Sequence, residues 1–378
     1  MLKRFSRHFF TTSFILFFGS ITFKVNKILY FKFFNQYKPF SKMFFTMRKI
    51  FTLLSLIFCG FQMYAQQDPM FTNYLFNSLT INPGYAGSNE HLTINALHRT
   101  QWWGIQGAPS TQTFTVSSPL QNDKVGVGFN LINDKIGPTT SLDLGISYAY
   151  RIPVGKSKLS IGLQGSYNNF RADFVNNPTL NIQVPDNAYD QNINVWKPNL
   201  GAGVYFYNKN FYVGLSVPRI IEQDLTQGRT DQVPIYSKTY RHYYFTIGTA
   251  IPLKGDNLIF KPSLLIKSAA FDSRFKSDPN YIQVGAPTEA NIDLSLFFQK
   301  TLWIGASFRS AIEAANGKSS FDSVDFWTAY YLSNGLRLGL GYDYTLTKLQ
   351  TKAGGSFEIM AGYEFDFKTK RVVTPRYF

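Results

Sequence analysis

Beyond Ala65 the chain offers little of the usual chemistry, and its histidines and glycines are the first residues to weigh. His91, His98 and His242 are the histidines of that part, and no cysteine accompanies them. The spacing of His91 and His98 matches no zinc pattern and no thiolate is at hand, so each is expected as an ordinary strand or interface residue. The pairs Gly126/Gly128, Gly201/Gly203 and Gly339/Gly341 lack the third glycine and following helix that cradle a phosphate. They suit small lumen-facing positions inside strands. No Gly-x-Ser-x-Gly elbow occurs. The scattered Asp and Glu residues are expected to serve solvation or internal salt bridges. Neither an enzyme, a cofactor nor a metal site is expected.

The non-repetitive part of the sequence is a more specific lead. It runs from Asp68-Pro69 through Phe71, Tyr74, Leu75 and Asn77 to Asn82-Pro83-Gly84-Tyr85-Ala86-Gly87. Phe71, Tyr74 and Leu75 recur at helical spacing, and Asp68-Pro69 resembles a helix cap with proline in the first turn. Asn82-Pro83-Gly84 then ends any helix. Further on stand Arg99, Gln101 and Trp102, then Gly107-Ala108-Pro109. Two roles suit this segment: a plug packing its aromatics into a lumen, and a docking element for a periplasmic partner. The two are compatible.

What must position such residues follows from the rest of the chain. Its formal charge of +15 first suggests a nucleic-acid binder. However, residues 1–65 hold ten of the 38 Lys and Arg and none of the 23 Asp and Glu, so the positive balance sits mostly in a leader. Met47-Arg48-Lys49, the apolar run Ile50–Phe61 and Ala65 form a secretory signal peptide over 47–65, too short to span a membrane. Bulky Phe58 before Cys59 argues against a lipoprotein cysteine. Residues 1–46 are expected to be an upstream extension from a wrongly assigned start, with translation beginning at Met43 or Met47. Without clustered Lys and Arg on a folded face, nucleic acid is not an expected partner.

After the leader no apolar stretch reaches the roughly 18 residues of a membrane helix; strict alternation recurs instead. Leu142, Leu144, Ile146, Tyr148 and Tyr150 alternate with Asp143, Gly145, Ser147 and Ala149. Leu336–Tyr344 and Phe357–Phe367 repeat the scheme. Alternate side chains of a strand face opposite sides, so each such strand is apolar on one face and small or charged on the other. A soluble sandwich alternates too. Yet the glycine- and serine-rich second face, the aromatics at strand ends and segment lengths of about 8–11 residues suit a membrane barrel. Strands are expected at 92–99, 111–118, 125–133, 141–151, 158–167, 199–207, 211–217, 240–251, 257–266, 291–298, 302–309, 324–331, 336–344 and 356–367. Short turns follow even-numbered strands and generally longer connections the odd ones, notably 168–198, 218–239, 267–290 and 310–323. The fold expected is all-β: a transmembrane antiparallel barrel of about 14 strands over 91–367. An N-terminal plug-like or docking segment occupies 66–90 and a periplasmic tail 368–378, with both termini periplasmic.

The non-repetitive segment resembles the PorP/SprF family of type IX secretion-system membrane proteins. Members carry Asp-Pro-x-Phe-x-x-Tyr-x-x-Asn, then Asn-Pro-x-Tyr-Ala-Gly, Arg-x-Gln-Trp and Gly-Ala-Pro. These stand here at Asp68–Asn77, Asn82–Gly87, Arg99–Trp102 and Gly107–Pro109. Pro262-Ser263, Lys267, Arg309 and the terminal Pro375-Arg376-Tyr377-Phe378 also fit, while Gly84 stands where many members have alanine. The resemblance implies an outer-membrane barrel of a Gram-negative bacterium, without enzymatic activity or cofactor, serving type IX secretion and gliding motility. It further implies export or surface anchoring of a cognate adhesin with a C-terminal sorting domain. The expected partners are membrane lipid, that adhesin and periplasmic secretion components. The rival readings are a passive porin or hydrophobic-solute channel, which needs an open lumen, and a lipid-acting barrel enzyme, which needs a Ser/His/acid constellation.

Overall fold

The computed structural model describes residues 71–72, 74–89, 91–120, 123–175, 191–225, 238–269, 288–312 and 321–365, all within the compact unit Phe61–Phe378. The upstream extension, the signal peptide, Asp68, Pro69 and the tail 368–378 lie outside the described residues. No helix among the described residues is long and apolar enough to cross a membrane.

The strands are β1 Leu92–Thr100, β2 Ser110–Pro119, β3 Val125–Ile136, β4 Thr139–Val154, β5 Ser157–Ala172, β6 Ile193–Tyr207 and β7 Phe211–Val217. They continue with β8 Gln223–Asp224, β9 Lys238–Thr239, β10 His242–Thr249, β11 Ile251–Pro252, β12 Leu258–Ala269, β13 Glu289–Phe298, β14 Leu302–Ala311, β15 Phe321–Tyr331, β16 Leu336–Thr345 and β17 Ser356–Phe365. Fourteen of them close into one antiparallel barrel, with β1 paired to β17 and β10 to β12. The two-residue β8 and β9 pair with each other, and β11 extends the β10–β12 hairpin beyond Ala250. Closure leaves no free sheet edge along the ladder, which a wall in lipid requires.

The alternation sorts the faces as expected. Ile146, Tyr148, Tyr150, Leu338, Leu340 and Tyr344 point outward and are exposed, while Asp143, Ser147, Ala149 and Asp343 point into the lumen and are buried. Outward aromatics recur toward the strand ends, among them Tyr167 stacked on Trp196 at 5.1 Å. The short turns 208–210 and 299–301 gather at one mouth, and the strand ends Ala172, Ile193, Val217, His242, Ala269 and Glu289, from which the long connections leave, at the other. The third and fourth strands break the length rule: Gly137-Pro138 joins them at the long-connection mouth.

The expected strands all form, but the ends of β4, β5 and β6 run further than the apolar alternation reaches. β5 extends to Ala172 and β6 begins at Ile193. This outer part is held by polar links, with Asn169 Nδ2 donating to Asn194 Oδ1 at 2.7 Å. Pro198 is tolerated there. Leu200 O accepts Ile220 N on the β7 side, and the last β6–β7 pair is Ala202 with Val217. The missing Pro198 N–H therefore falls beyond the ladder.

Candidate functional site

The described part of the non-repetitive segment lies inside the barrel. Tyr74–Asn77 forms a 3-10 turn, Ser78–Ile81 one short α-helical turn (α1), and Pro83–Tyr85 a second 3-10 turn. The break at Asn82-Pro83-Gly84 has a local cause: Asn82 Oδ1 accepts the Gly84 N–H at 2.8 Å and starts the second turn. The polar contacts outward from the segment reach strands all around the wall. Tyr74 OH donates to Ser263 Oγ at 2.8 Å, and Asn77 Nδ2 to Thr113 Oγ1 at 2.7 Å. Ser216 Oγ donates to Ile81 O at 2.6 Å, and Gly87 N to Ser117 Oγ at 2.8 Å. Arg151 donates to the Gly87 carbonyl. Burial pushes the Tyr74 and Tyr85 phenols above their ordinary range, so both remain neutral at physiological pH.

The barrel is shaped to admit this backbone. Gly87 adopts φ 64°, and a Cβ there would also strike Gly126 of β3 and the Ser118 carbonyl of β2. Conversely, a Cβ on Gly126 would collide with the Ala86 carbonyl, and one on Gly162 of β5 with Pro83 and Gly84. The lumen glycines are thus the places where segment and wall touch through bare backbone.

Near the short-turn mouth, aromatic packing takes over. Phe76 sits 5.3 Å from the Trp303 ring and 6.2 Å, edge-on, from Trp327, and those two indoles are 4.9 Å apart. Lys261 Nζ lies 3.5 Å from the Trp303 ring centroid, and Trp327 Nε1 donates to Asp293 Oδ2 at 2.9 Å. Phe76 and its neighbours Leu97, Trp303, Trp327 and Met360 form a buried apolar core inside the lumen.

Toward the long-connection mouth the packing becomes ionic. Arg99, 1% exposed, pairs with Asp343 and, at 3.5 Å, with Glu358; Arg309 pairs with Asp325 at 3.1 Å. Thr72 joins this layer through its N–H to Glu358 Oε2 at 2.9 Å and its hydroxyl to Asp343 Oδ1 at 2.5 Å. Arg309 also donates to the Phe71 carbonyl at 3.2 Å. Charges this deep are tolerable only when paired and hydrogen-bonded, and the segment supplies part of that pairing.

Above the layer opens a recess of about 580 Å³. Asp134, Asp143, Glu289 and Asp322 line it with Arg219, and Trp102, Ile132, Phe170 and Leu225 form apolar stretches of its wall. Arg219 lies 3.4 Å from Asp143, and Glu289 lies 3.8 Å from Lys267. Arg99 Nε is buried without a hydrogen-bond partner, while its terminal nitrogens hold Thr72, Asp343 and Glu358.

The residues singled out from sequence therefore divide. Phe71, Tyr74, Asn77, Asn82, Pro83, Tyr85, Ala86 and Gly87 meet Arg99, Ser263 and Arg309 inside the lumen. Gln101, Trp102, Gly107, Ala108 and Pro109 belong instead to the β1–β2 connection at the rim. There Gln101 N donates to Pro109 O at 2.9 Å and Gly137 N to Gly107 O at 2.8 Å. Asp343, Glu358, Asp325, Trp303 and Trp327 were not singled out, although a charge or indole among small lumen-side residues is a visible signal. The histidines are not gathered: His98 is exposed, and His242 is buried and lines the recess. Among the described residues no group of three or more His, Cys, Asp or Glu is placed to hold a metal.

Residues 63–363 match the family described as type IX secretion system membrane protein PorP/SprF. No curated protein matches the chain. Similar solved structures include outer membrane protein Omp33 of Acinetobacter baumannii, at 11% identity and TM-score 0.40, covering 73% of this chain and 99% of that one. A Pseudomonas aeruginosa FadL homologue follows at 12% identity and TM-score 0.41, covering 76% and 94%. The CymD monoaromatic hydrocarbon channel has 11% identity and TM-score 0.44, covering 77% and 93%.

Proposed function

Because this chain belongs to the PorP/SprF family of type IX secretion system membrane proteins, we propose that it holds the C-terminal sorting domain of an exported adhesin at the cell surface. The coarser statement needs no proposal: it is an outer-membrane barrel of that secretion system, in contact with membrane lipid and secretion-system partners. In the proposed arrangement the long-connection mouth faces outward, and residues 168–198, 218–239 and 267–290 grip the cargo domain. Both ends of the chain then lie on the periplasmic side, within reach of periplasmic components of the system. The segment that begins at Phe71 closes the lumen beneath. The reading assigns no enzymatic step and no cofactor.

One observation carries it: the signature segment fills the short-turn part of the lumen, while the recess opens among the long connections. That arrangement suits a holder better than a conduit. The test is affinity purification of the tagged protein from mild-detergent outer membranes, followed by mass spectrometry. Recovery of one large surface protein with a sorting domain is expected, and deleting the three connections should abolish its display. Display that survives the deletion would sink the proposal. Recovery of the barrel alone, with open-pore conductance in planar bilayers, would favour a solitary channel.

A further inference from the structure

The outward face of the barrel carries a polar row at the long-connection end of β1, β2 and β3. Arg99 and Thr111 are buried toward the lumen, so His98, Thr100 and Gln112 face out. Asp134 lines the recess, so its neighbours Asn133 and Lys135 face out as well. His98, Gln112 and Asn133 are cross-strand neighbours, and Ser110 pairs with Lys135. Asn133 Nδ2 donates to Gln112 Oε1 at 2.6 Å, while Gln112 Nε2 lies 3.2 Å from His98 Nδ1 and 2.9 Å from Ser110 Oγ. The next outward row, Ala96, Phe114 and Leu131, is apolar again. Polar groups facing hydrocarbon are costly, so the row marks a stretch of wall that acyl chains do not cover.

The rim beside this row adds rings and cations. Trp102 adopts φ 48°, a conformation that bulky residues avoid, and the turn sends consecutive indoles opposite ways. Trp102 lines the recess, whereas Trp103 is 61% exposed and packs edge-on against outward Phe357, with ring centroids 5.9 Å apart. Trp103 N donates to Gly355 O and Gly354 N to Trp103 O, both at 2.8 Å, which ties the β1–β2 connection to the β16–β17 connection. The latter rests on outward tyrosines: Gln350 donates to the Tyr344 hydroxyl, and Tyr342 OH to Gly354 O at 3.2 Å. Around its 3-10 turn Lys348–Thr351, exposed Lys348 and Lys352 stand beside exposed Leu346 and Leu349. Exposed leucines interleaved with lysines compose a segment that lies on a headgroup layer. Among the described residues of this band no carboxylate opposes the lysines. Asp134 and Asp322 line the recess, Asp343 and Glu358 are buried in the lumen, and Asp173 is paired with Arg171 on β5. Residues 313–320, outside the described residues, hold one charge of each sign, Glu313 and Lys318.

We propose that this band, from Lys135 across β2, β1 and β17 to Lys352, binds the phosphates of anionic lipid headgroups in the leaflet at the long-connection mouth. Lys135, Lys348 and Lys352 supply the charge, and the His98–Gln112–Asn133 row supplies hydrogen-bonding groups. Trp103, Leu346 and Leu349 take the boundary with the acyl chains, the level of an aromatic girdle. Charge without carboxylates selects an anion, and the apolar residues set among the lysines select one that carries lipid chains. The band lies on the outside of the wall, apart from the recess, and serves the barrel whether or not the mouth grips a cargo domain.

The test uses the full chain purified in mild detergent. The probes are phosphatidylglycerol and phosphatidylcholine with identical chains, and retained lipid is read by native mass spectrometry. Phosphatidylglycerol should bind about tenfold more tightly, which is 1.4 kcal/mol. The triple substitution Lys135→Gln, Lys348→Gln, Lys352→Gln should abolish that preference. The matching triple at the opposite mouth, Lys156→Gln, Lys209→Gln, Lys254→Gln, removes the same charge from exposed turns and should keep most of it. Gln112→Leu with Asn133→Leu, which continues the apolar wall, should weaken phosphatidylglycerol by about threefold. A heat-dependent shift on gels reports whether each variant forms the barrel. If the band triple does not fold, Lys352→Gln alone should weaken binding by about threefold, the value of one exposed charge pair. Equal retention of the two lipids by wild type, or equal loss in the two triples, overturns the proposal. Full displacement by inorganic phosphate overturns it too, because the occupant would then be a free anion. So does a dimer that the band triple dissolves, which would put a second copy on this face.

Discussion

Toward the short-turn mouth the lumen is filled with aromatic rings, glycines and the backbone of residues 74–87, whereas toward the long-connection mouth it is lined by charges around a hollow. The difference lies in what each half needs in order to be stable. Apolar packing needs only contact, and the segment brings its own rings to the wall. Buried charges need designated partners, so the upper half is organised by pairs. Thr72 stands where the two regimes meet, tied to both Asp343 and Glu358.

Substitutions can break or sharpen this contrast. The largest effect is expected from Gly126→Val, whose new atoms collide with the Ala86 carbonyl. Valine suits a strand, so the wall should form while the segment is unseated. Protease should then cut within residues 71–89, and planar bilayers should show conductance steps absent from wild type. A protected, non-conducting Gly126→Val barrel would mean that the segment does not depend on this fit.

Next is Arg99→Met, which removes the cation shared by Asp343 and Glu358 and leaves Asp343 the more distant Arg309 at 3.8 Å. Breaking a buried pair in this way costs about 3–5 kcal/mol and should lower the temperature of the gel shift markedly. Phe76→Ala should cost about 3–4 kcal/mol through the cavity left against Trp303 and Trp327. If the released space is dry, adding a small aromatic compound should restore part of the loss; the Arg99→Met defect should not respond. Tyr74→Phe removes one neutral hydrogen bond to Ser263 and should cost about 1 kcal/mol by urea titration. Smallest is Lys300→Ala, which breaks a half-exposed pair with Asp256 at the short-turn rim. Its effect should be within about 0.5 kcal/mol, and a larger one would show that the turn charges matter as much as the buried layer.

The strands were legible wherever lipid and lumen impose opposite demands, as in Leu336–Tyr344, because alternation then marks both faces at once. Ile193–Pro198 was not, since its Lys197-Pro198 step interrupts the pattern and its partners are asparagines beyond the apolar band. The segment was visible as a non-repetitive run with helical spacing, and the Asn82-Pro83-Gly84 break stands where expected. What could not be read was its destination. Arg99 and Asp343 are 244 positions apart, and only closure of β1 on β17 brings them to one level. Sequence shows that a lumen-side charge exists; barrel register decides its partner.

The glycines that touch residues 83–87 have a consequence for competition. In effect the barrel is a receptor covalently joined to its own ligand, with residues 90 and 91 as the tether between Asn89 and Leu92. So short a tether keeps the ligand at an effective concentration on the order of millimolar or higher. A free guest seeking the same groove must outbid it by affinity, and one present at micromolar levels with micromolar affinity would almost never displace it. The inner groove is thereby reserved for the chain itself, and the outer recess is left as the place where another molecule can bind without that contest.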